Sequence, residues 1–198
     1  MLGSTKGTDL EAVIDAIQDG SLSNVKIAFV LSNKKDAYIL ERSRKAGIES
    51  IFLDPIGKKR EDYDKEVDRL LEKHNVDLVI LIGYMKLMSS WFVRKWRYKV
   101  MNIHPSLLPK YAGGMDTEVH AQVLKNKDSE TGCSLIFIDE GADTGPIILQ
   151  KKVKVTADES VESLKAKVQK AEQKAILHGI KLFRDGRITV GRKKVMVS

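Results

Sequence analysis

Three unbroken apolar runs punctuate the first half of the chain: VKIAFVL at residues 25–31, SIFL at 50–53 and DLVILIG at 77–83. Short continuous runs rich in β-branched residues predict strands buried on both faces. Between them, residues 36–46 and 60–74 carry apolar side chains at helical spacing. In the second stretch Tyr63, Val67, Leu70 and Leu71 share one face. This alternation predicts a parallel sheet covered by helices, and RYKVMNI at residues 97–103 is the expected next strand.

The second half has a different rhythm. CSLIFID (133–139) and PIILQKKVKV (146–155) read as strands joined by the turn-rich EGADTG, close enough to pair antiparallel. Residues 160–183 read as one long helix with Ser160 as its cap. The tail RITVGRKKVMVS reads as a small hairpin with Gly191 in its turn. The expected fold is α/β: a Rossmann-like, mostly parallel sheet with an antiparallel C-terminal portion and helices on both faces. Without internal repeats or a linker, residues 1–198 read as a single domain of two halves, 1–100 and 101–198. The opening GSTKGTDLEAVIDAI has the form of a glycine-rich turn feeding a helix, yet only Met1 and Leu2 precede it. The expectation is that the strand before this turn is absent or cut short, which would weaken the sheet on both sides.

Composition narrows the class. The chain has 198 residues, 42% hydrophobic and only 6% aromatic, so Val, Ile and Leu must fill most of one core. A single cysteine, Cys133, excludes an internal disulfide and fits a reducing compartment. No apolar run approaches the ~20 residues that cross a bilayer, and the first residues lack a signal-peptide pattern. A soluble, cytoplasmic protein with no membrane partner is expected. The net charge of +7 admits nucleic-acid binding. The lysines are dispersed and not interleaved with aromatics, which favours a solvated surface that also attracts small anions.

Several residue types carry chemistry. Gly3, Ser4, Lys6, Gly7 and Thr8 place backbone N–H groups, hydroxyls and an ammonium at a helix start. That composition serves an anion site or an ordinary helix start capped by Thr8 or Asp9. Asn102 and His104 stand two apart on a predicted strand, so they point to one side at the edge where α/β folds bind ligands. There His104 could exchange protons near neutral pH and Asn102 could donate to an oxyanion; in a plain turn both would only satisfy backbone groups. Asp143, in ADTG, is either an Asx turn or a carboxylate that orients a histidine or water. His120 reads as a partly buried structural histidine, His74 and His178 as surface positions, and Cys133 as core. No metal-ligand cluster is visible.

The blocks NIHPSLLPKY and ADTGPIILQ together resemble the folate-dependent formyltransferases. The similarity extends over nearly the whole chain, through LSNKKDAYILERSRKAGI, KREDYDKEV, DLVILIGYMKLMS and VQKAEQK. The phosphate turn and the Q-x-x-E stretch are similar to the branch acting on glycinamide ribonucleotide. The resemblance implies that the amine of 5′-phosphoribosylglycinamide attacks the formyl carbon of 10-formyltetrahydrofolate, the co-substrate, in de novo purine synthesis, with no metal. It implies that Asn102 holds the oxyanion, His104 stabilises it and moves protons, and Asp143 orients His104 and orders a water. Gly7, Thr8 and Asp9 match the phosphate turn, and Gln169 and Glu172 the phosphate and ribose contacts. Arg60, Met85, Lys86, Leu87, Met88 and Val93 match the folate pocket. In this reading residues 1–100 form a phosphate-binding half and 101–198 a folate-binding and catalytic half, working as a monomer or homodimer.

Two further departures from the family pattern stand out. The loop YAGGMDTEVH is longer than the common Tyr-Pro-Gly form, and Gln173 replaces a usual histidine. Rival readings are a methionyl-tRNA formyltransferase, a formyltetrahydrofolate deformylase, or a catalytically silent ligand- or RNA-binding relative. The first two normally carry an additional domain.

Overall fold

The computed structural model describes residues 1–191 and 194–198. In chain order the elements are β1 (Leu2–Gly3), α1 (Thr8–Gln18), β2 (Val30–Ser32), α2 (Tyr38–Lys45), β3 (Ser50–Phe52), α3 (Arg60–Lys73), β4 (Val79–Ile82), α4 (Ser90–Lys95) and β5 (Val100–His104). They continue with α5 (Asp116–Lys125), β6 (Glu130–Phe137), β7 (Ile147–Lys154), α6 (Val161–Arg184), β8 (Ile188–Gly191) and β9 (Lys194–Val197). A seven-stranded sheet has the order β3-β2-β1-β4-β5-β6-β7, and β8 and β9 form a separate two-stranded sheet. Strand β1 pairs in parallel with β2 and β4, β2 with β3 and β4 with β5, whereas β6 and β7 pair antiparallel. The fold is thus α/β with a mixed sheet, as expected. The chain divides into two compact units: Met1–Asn102 with Ile138–Glu140, and Ile103–Phe137 with Gly141–Ser198.

In the first unit β1 is present despite its length. Leu2 pairs with Leu31 of β2 and Leu81 of β4, so the two-residue strand lies between them. Its shortness explains why β2 is shorter than the apolar run that predicted it. A strand exists only where neighbours share its hydrogen bonds, and β3 offers partners to Val30, Leu31 and Ser32 alone. The core gathers Leu2, Phe29, Leu31, Tyr63, Val67, Leu71, Val79, Leu81, Met88, Phe92, Val93, Trp96 and Val100. Full burial of such a side chain contributes about 1.5–3 kcal/mol. A surface ion pair such as Lys65–Glu61 is screened by water and contributes little, so packing outweighs the surface charges here. The expected strand at residues 97–103 begins later, at Val100. Tyr98 has φ +59°, and Lys99 N–H closes a turn onto Trp96 O.

In the second unit, burial separates an interior strand from one with a single covered face. Every residue of β6 after Glu130 is buried, whereas along β7 exposed positions alternate with more buried ones. Helix α6 starts at a capping box. Ser160 Oγ accepts from Ser163 N–H, and Ser163 Oγ accepts from Ser160 N–H. It covers β6 and β7 with Leu164, Val168, Ala175, Ile176, Gly179, Ile180 and Leu182 buried. Cys133 is buried in β6, as expected of a core residue. In the tail, Gly191 closes β8 and pairs with Lys194; residues 192–193, where the sequence predicts the rest of the turn, lie outside the described residues. Among the described residues no helix is long and apolar enough to cross a membrane.

Candidate active site

Asn102 and His104 are the third and fifth residues of β5, so the pleat sends both side chains the same way. Pro105 ends the strand, and the turn that follows is held by side chains. Ser134 Oγ, on β6, donates to Ser106 O at 2.7 Å and accepts from Leu108 N–H at 3.0 Å. Gln150, on β7, donates to the same hydroxyl at 2.8 Å and to Leu108 O at 3.0 Å. One donor and two acceptor positions exhaust the serine hydroxyl. The Gln of GPIILQ thus serves to clamp the turn behind His104.

His104 is 3% exposed. Its Nδ1 lies 3.0 Å from Asp143 Oδ2, and its Nε2 lies 3.0 Å from the carbonyl oxygen of Tyr111. Both ring nitrogens therefore face oxygen acceptors. Asp143 adopts φ +55°, a conformation Asp tolerates better than most residues, and its Oδ2 also accepts from Gly113 N–H at 3.0 Å. The carboxylate acts between loops and not as a plain Asx turn. His120, on α5, is buried as expected, and its Nδ1 has no hydrogen-bond partner; burial lowers its pKa. His178 is exposed, as expected. His74 is not simply a surface residue: it follows α3, its ring packs 4.9 Å from Phe29, and its Nε2 is buried. Gln169 and Glu172 lie three apart on α6, sharing one helical face, with Gln173 next to them.

In the first unit the strand order reverses direction at β1, with β2 and β3 to one side and β4 and β5 to the other. Ligands of such sheets bind beyond the carboxyl ends of the strands at that reversal. Two loops stand there. The turn after β1 leads to Gly7, which precedes α1 at φ +64° with no side-chain cap, correcting the expectation of Thr8 or Asp9. A Cβ on Gly7 would sit 2.4 Å from Ile39 Cγ1. Gly7 is therefore required by conformation and by space. Arg42 of α2 pins the turn through Nε to Lys6 O, at 2.8 Å. The loop after β4 is tied to it: Met85 N–H donates to Ser4 Oγ at 2.8 Å, and Ser4 Oγ donates to Asn33 at 2.5 Å.

The predicted folate residues divide by exposure. Met88 and Val93 belong to the core, whereas Met85 is 42% and Leu87 60% exposed, which leaves two apolar side chains open on that loop. Lys86 Nζ lies 4.7 Å from the Tyr63 ring centre. Arg60 is exposed at the first position of α3. A cation there is unfavourable for the helix dipole, so capping does not account for it. The loop's far end is fixed by Asp64, whose Oδ2 accepts from Ser89 N–H at 2.5 Å; burial raises its pKa. Sequence reasoning passed over Asp64, although a carboxylate beside Tyr63 on the apolar side of α3 was a usable signal. The Ser134–Gln150 clamp and the backbone groups of Tyr111 and Gly113 were also missed, and a backbone group leaves no residue signature. Among the described residues no group of His, Cys, Asp and Glu is arranged to hold a metal.

The formyl transferase family profile matches residues 1–180. The chain belongs to the formyl transferase family. It is 39% identical to the phosphoribosylglycinamide formyltransferase of Escherichia coli (strain K12), over 95% of this chain and 87% of that protein. It is also 39% identical to the trifunctional purine biosynthetic protein adenosine-3 of Drosophila melanogaster, over 94% of this chain. It spans only 14% of that longer protein. The crystal structure of glycinamide ribonucleotide transformylase 1 from Symbiobacterium toebii superposes with a TM-score of 0.92 at 34% identity, covering 99% of this chain and 91% of that one. Membership of the formyl transferases accords with the sheet, which keeps the family's shape although β1 is only two residues long.

Proposed function

We propose that the protein is a phosphoribosylglycinamide formyltransferase of purine biosynthesis, using 10-formyltetrahydrofolate as donor. The observation that carries the chemistry is the buried contact between His104 Nδ1 and Asp143 Oδ2, 3.0 Å apart on the strand and loop that hold the family's two sequence blocks. The glycinamide nitrogen bonds to the formyl carbon while the carbonyl electron pair moves onto oxygen. Asn102 donates its amide N–H to that oxyanion, and His104 adds an N–H. The attacking nitrogen gives up a proton, N10 of the folate receives one through water ordered by Asp143, and the carbon–N10 bond breaks. The products are the N-formyl ribonucleotide and tetrahydrofolate. Asp143 keeps the imidazole turned toward the reaction.

Gly7, Thr8 and Asp9 take the substrate phosphate at the start of α1, where N–H groups and the helix dipole favour an anion. Gln169 and Glu172 take the ribose side. Met85 and Leu87 offer apolar contact to the folate, Met88 and Val93 back them, and Lys86 and Arg60 face its acidic tail. The protein works in the cytoplasm as a monomer or homodimer, with its positive charge serving anionic substrates and not nucleic acid.

The test is release of tetrahydrofolate from purified protein given both substrates, beside a His104→Ala control. Turnover that needs the glycinamide ribonucleotide and disappears in the control supports the reading. Folate release without the ribonucleotide would assign a deformylase instead. Substrate binding without turnover would assign a silent relative.

A further inference from the structure

We infer that Asp128 is a positioning residue for His104, acting through Tyr111, whose carbonyl is a placeholder for the oxygen that His104 later serves. The inference rests on the formyl-transfer reading above. Neither ring nitrogen of His104 is open: Asp143 takes Nδ1 and Tyr111 O takes Nε2, each at 3.0 Å. The acceptor at Nε2 is a carbonyl oxygen, the same kind of atom as the formyl oxygen. A substrate that displaces it exchanges acceptor for acceptor, and the ring needs no turn.

Tyr111 could not hold that carbonyl in place by itself. It sits at φ +60°, in the left-handed region that costs a non-glycine residue energy and persists only where its surroundings enforce it. Part of the enforcement is local, since Gly114 N–H donates to the same carbonyl at 3.2 Å; the rest comes from the Tyr111 side chain. The phenol donates to Asp128 Oδ2 at 2.8 Å and accepts from Asn126 Nδ2 at 2.8 Å. Lys110 Nζ lies 3.0 Å from the other oxygen of Asp128, and Lys110 O accepts from Ser106 Oγ at 2.5 Å. Bonds from Lys110 and Tyr111 lower the Asp128 pKa, so the anchor stays ionised at neutral pH. Tyr111 and Asp128 also line a cavity of about 250 Å³. Nothing in the sequence marked Asp128, which follows α5 and reaches His104 only through Tyr111.

The test uses the full chain labelled with 15N-histidine, following the His104 Nε2–H signal assigned by comparison with His104→Ala. Asp128→Ala and Tyr111→Phe should each broaden or shift that signal and lower kcat/KM about tenfold, and the double variant should lose no more than either one. Asp128→Asn, which keeps an oxygen for the phenol, should recover most of the activity. An unchanged signal in both single variants, or kcat/KM that holds or rises, overturns the inference. If the wild-type protein does not turn over, the formyl-transfer reading falls, while the Nε2–H comparison still decides whether Asp128 positions His104.

Discussion

His104 Nδ1 stands 3.0 Å from Asp143 Oδ2, joining the end of a strand to a loop that follows β6. The contact is buried, with the two side chains 4% and 14% exposed, so little water screens it. Replacing Asp143 by Asn keeps the shape and removes the charge. Asp143→Asn is expected to lower kcat at least ~100-fold, by analogy with charge-removing changes at other oriented histidines. Steady-state kinetics with thermal denaturation as a control checks this; activity within a few-fold of wild type would remove Asp143 from the mechanism.

Asn102 precedes His104 on the same side of β5. If its amide holds the oxyanion, the cost of Asn102→Ala should fall on the chemical step and not on binding. The expected loss is about 100- to 1000-fold in kcat, with KM for both substrates nearly unchanged. A variant that raises KM alone would show Asn102 to be a binding residue.

Gly7 is held at φ +64° with Ile39 against its α-carbon. Gly7→Ala meets both barriers and is expected to destabilise the fold by about 1–3 kcal/mol. It should also weaken binding of the ribonucleotide phosphate. Urea unfolding and a ribonucleotide titration measure the two effects; a variant as stable as wild type would mean that Ile39 moves aside freely.

His120 gives a pH dependence with a definite sign. Burial lowers its pKa below the ordinary 6.5 in the folded chain; nearby Asp116 opposes the shift and Lys165 reinforces it. As the pH falls, the unfolded chain takes the proton first. Stability is therefore fully present above pH 6.5 and declines as the pH drops below it. Substituting His120→Gln removes this contribution. The stability difference between wild type and variant should shrink or change sign from pH 7.5 to 5.5 in urea titrations, with pH values chosen about one unit either side of the ordinary pKa. A constant difference would place the His120 pKa at its unfolded value.

Much of this was legible before folding. Continuous β-branched runs gave β4 and β6 because burial on both faces leaves no polar alternation to confuse the period. Helical spacing gave α3 and α6, and the cap at Ser160 stands where the sequence put it. Strand ends were less legible. β2 starts at Val30 and not at residue 25 because its extent depends on β1 and β3, which a local pattern cannot see. Asn102 and His104 announced themselves by a spacing of two on a strand, which needs only the pleat.

The sequence by itself determined the family, the βα order and the residue types able to handle a formyl group, because periodicity and motif are local properties. Tertiary structure alone decided that Asp143 stands at His104 Nδ1. It also decided that Tyr111 offers its carbonyl to Nε2 and that Ser134 with Gln150 clamps the turn behind them. Those contacts join segments far apart in the chain, and several use backbone atoms common to every residue. Their partners are fixed by three-dimensional distance and direction, and neither is written in the order of side chains.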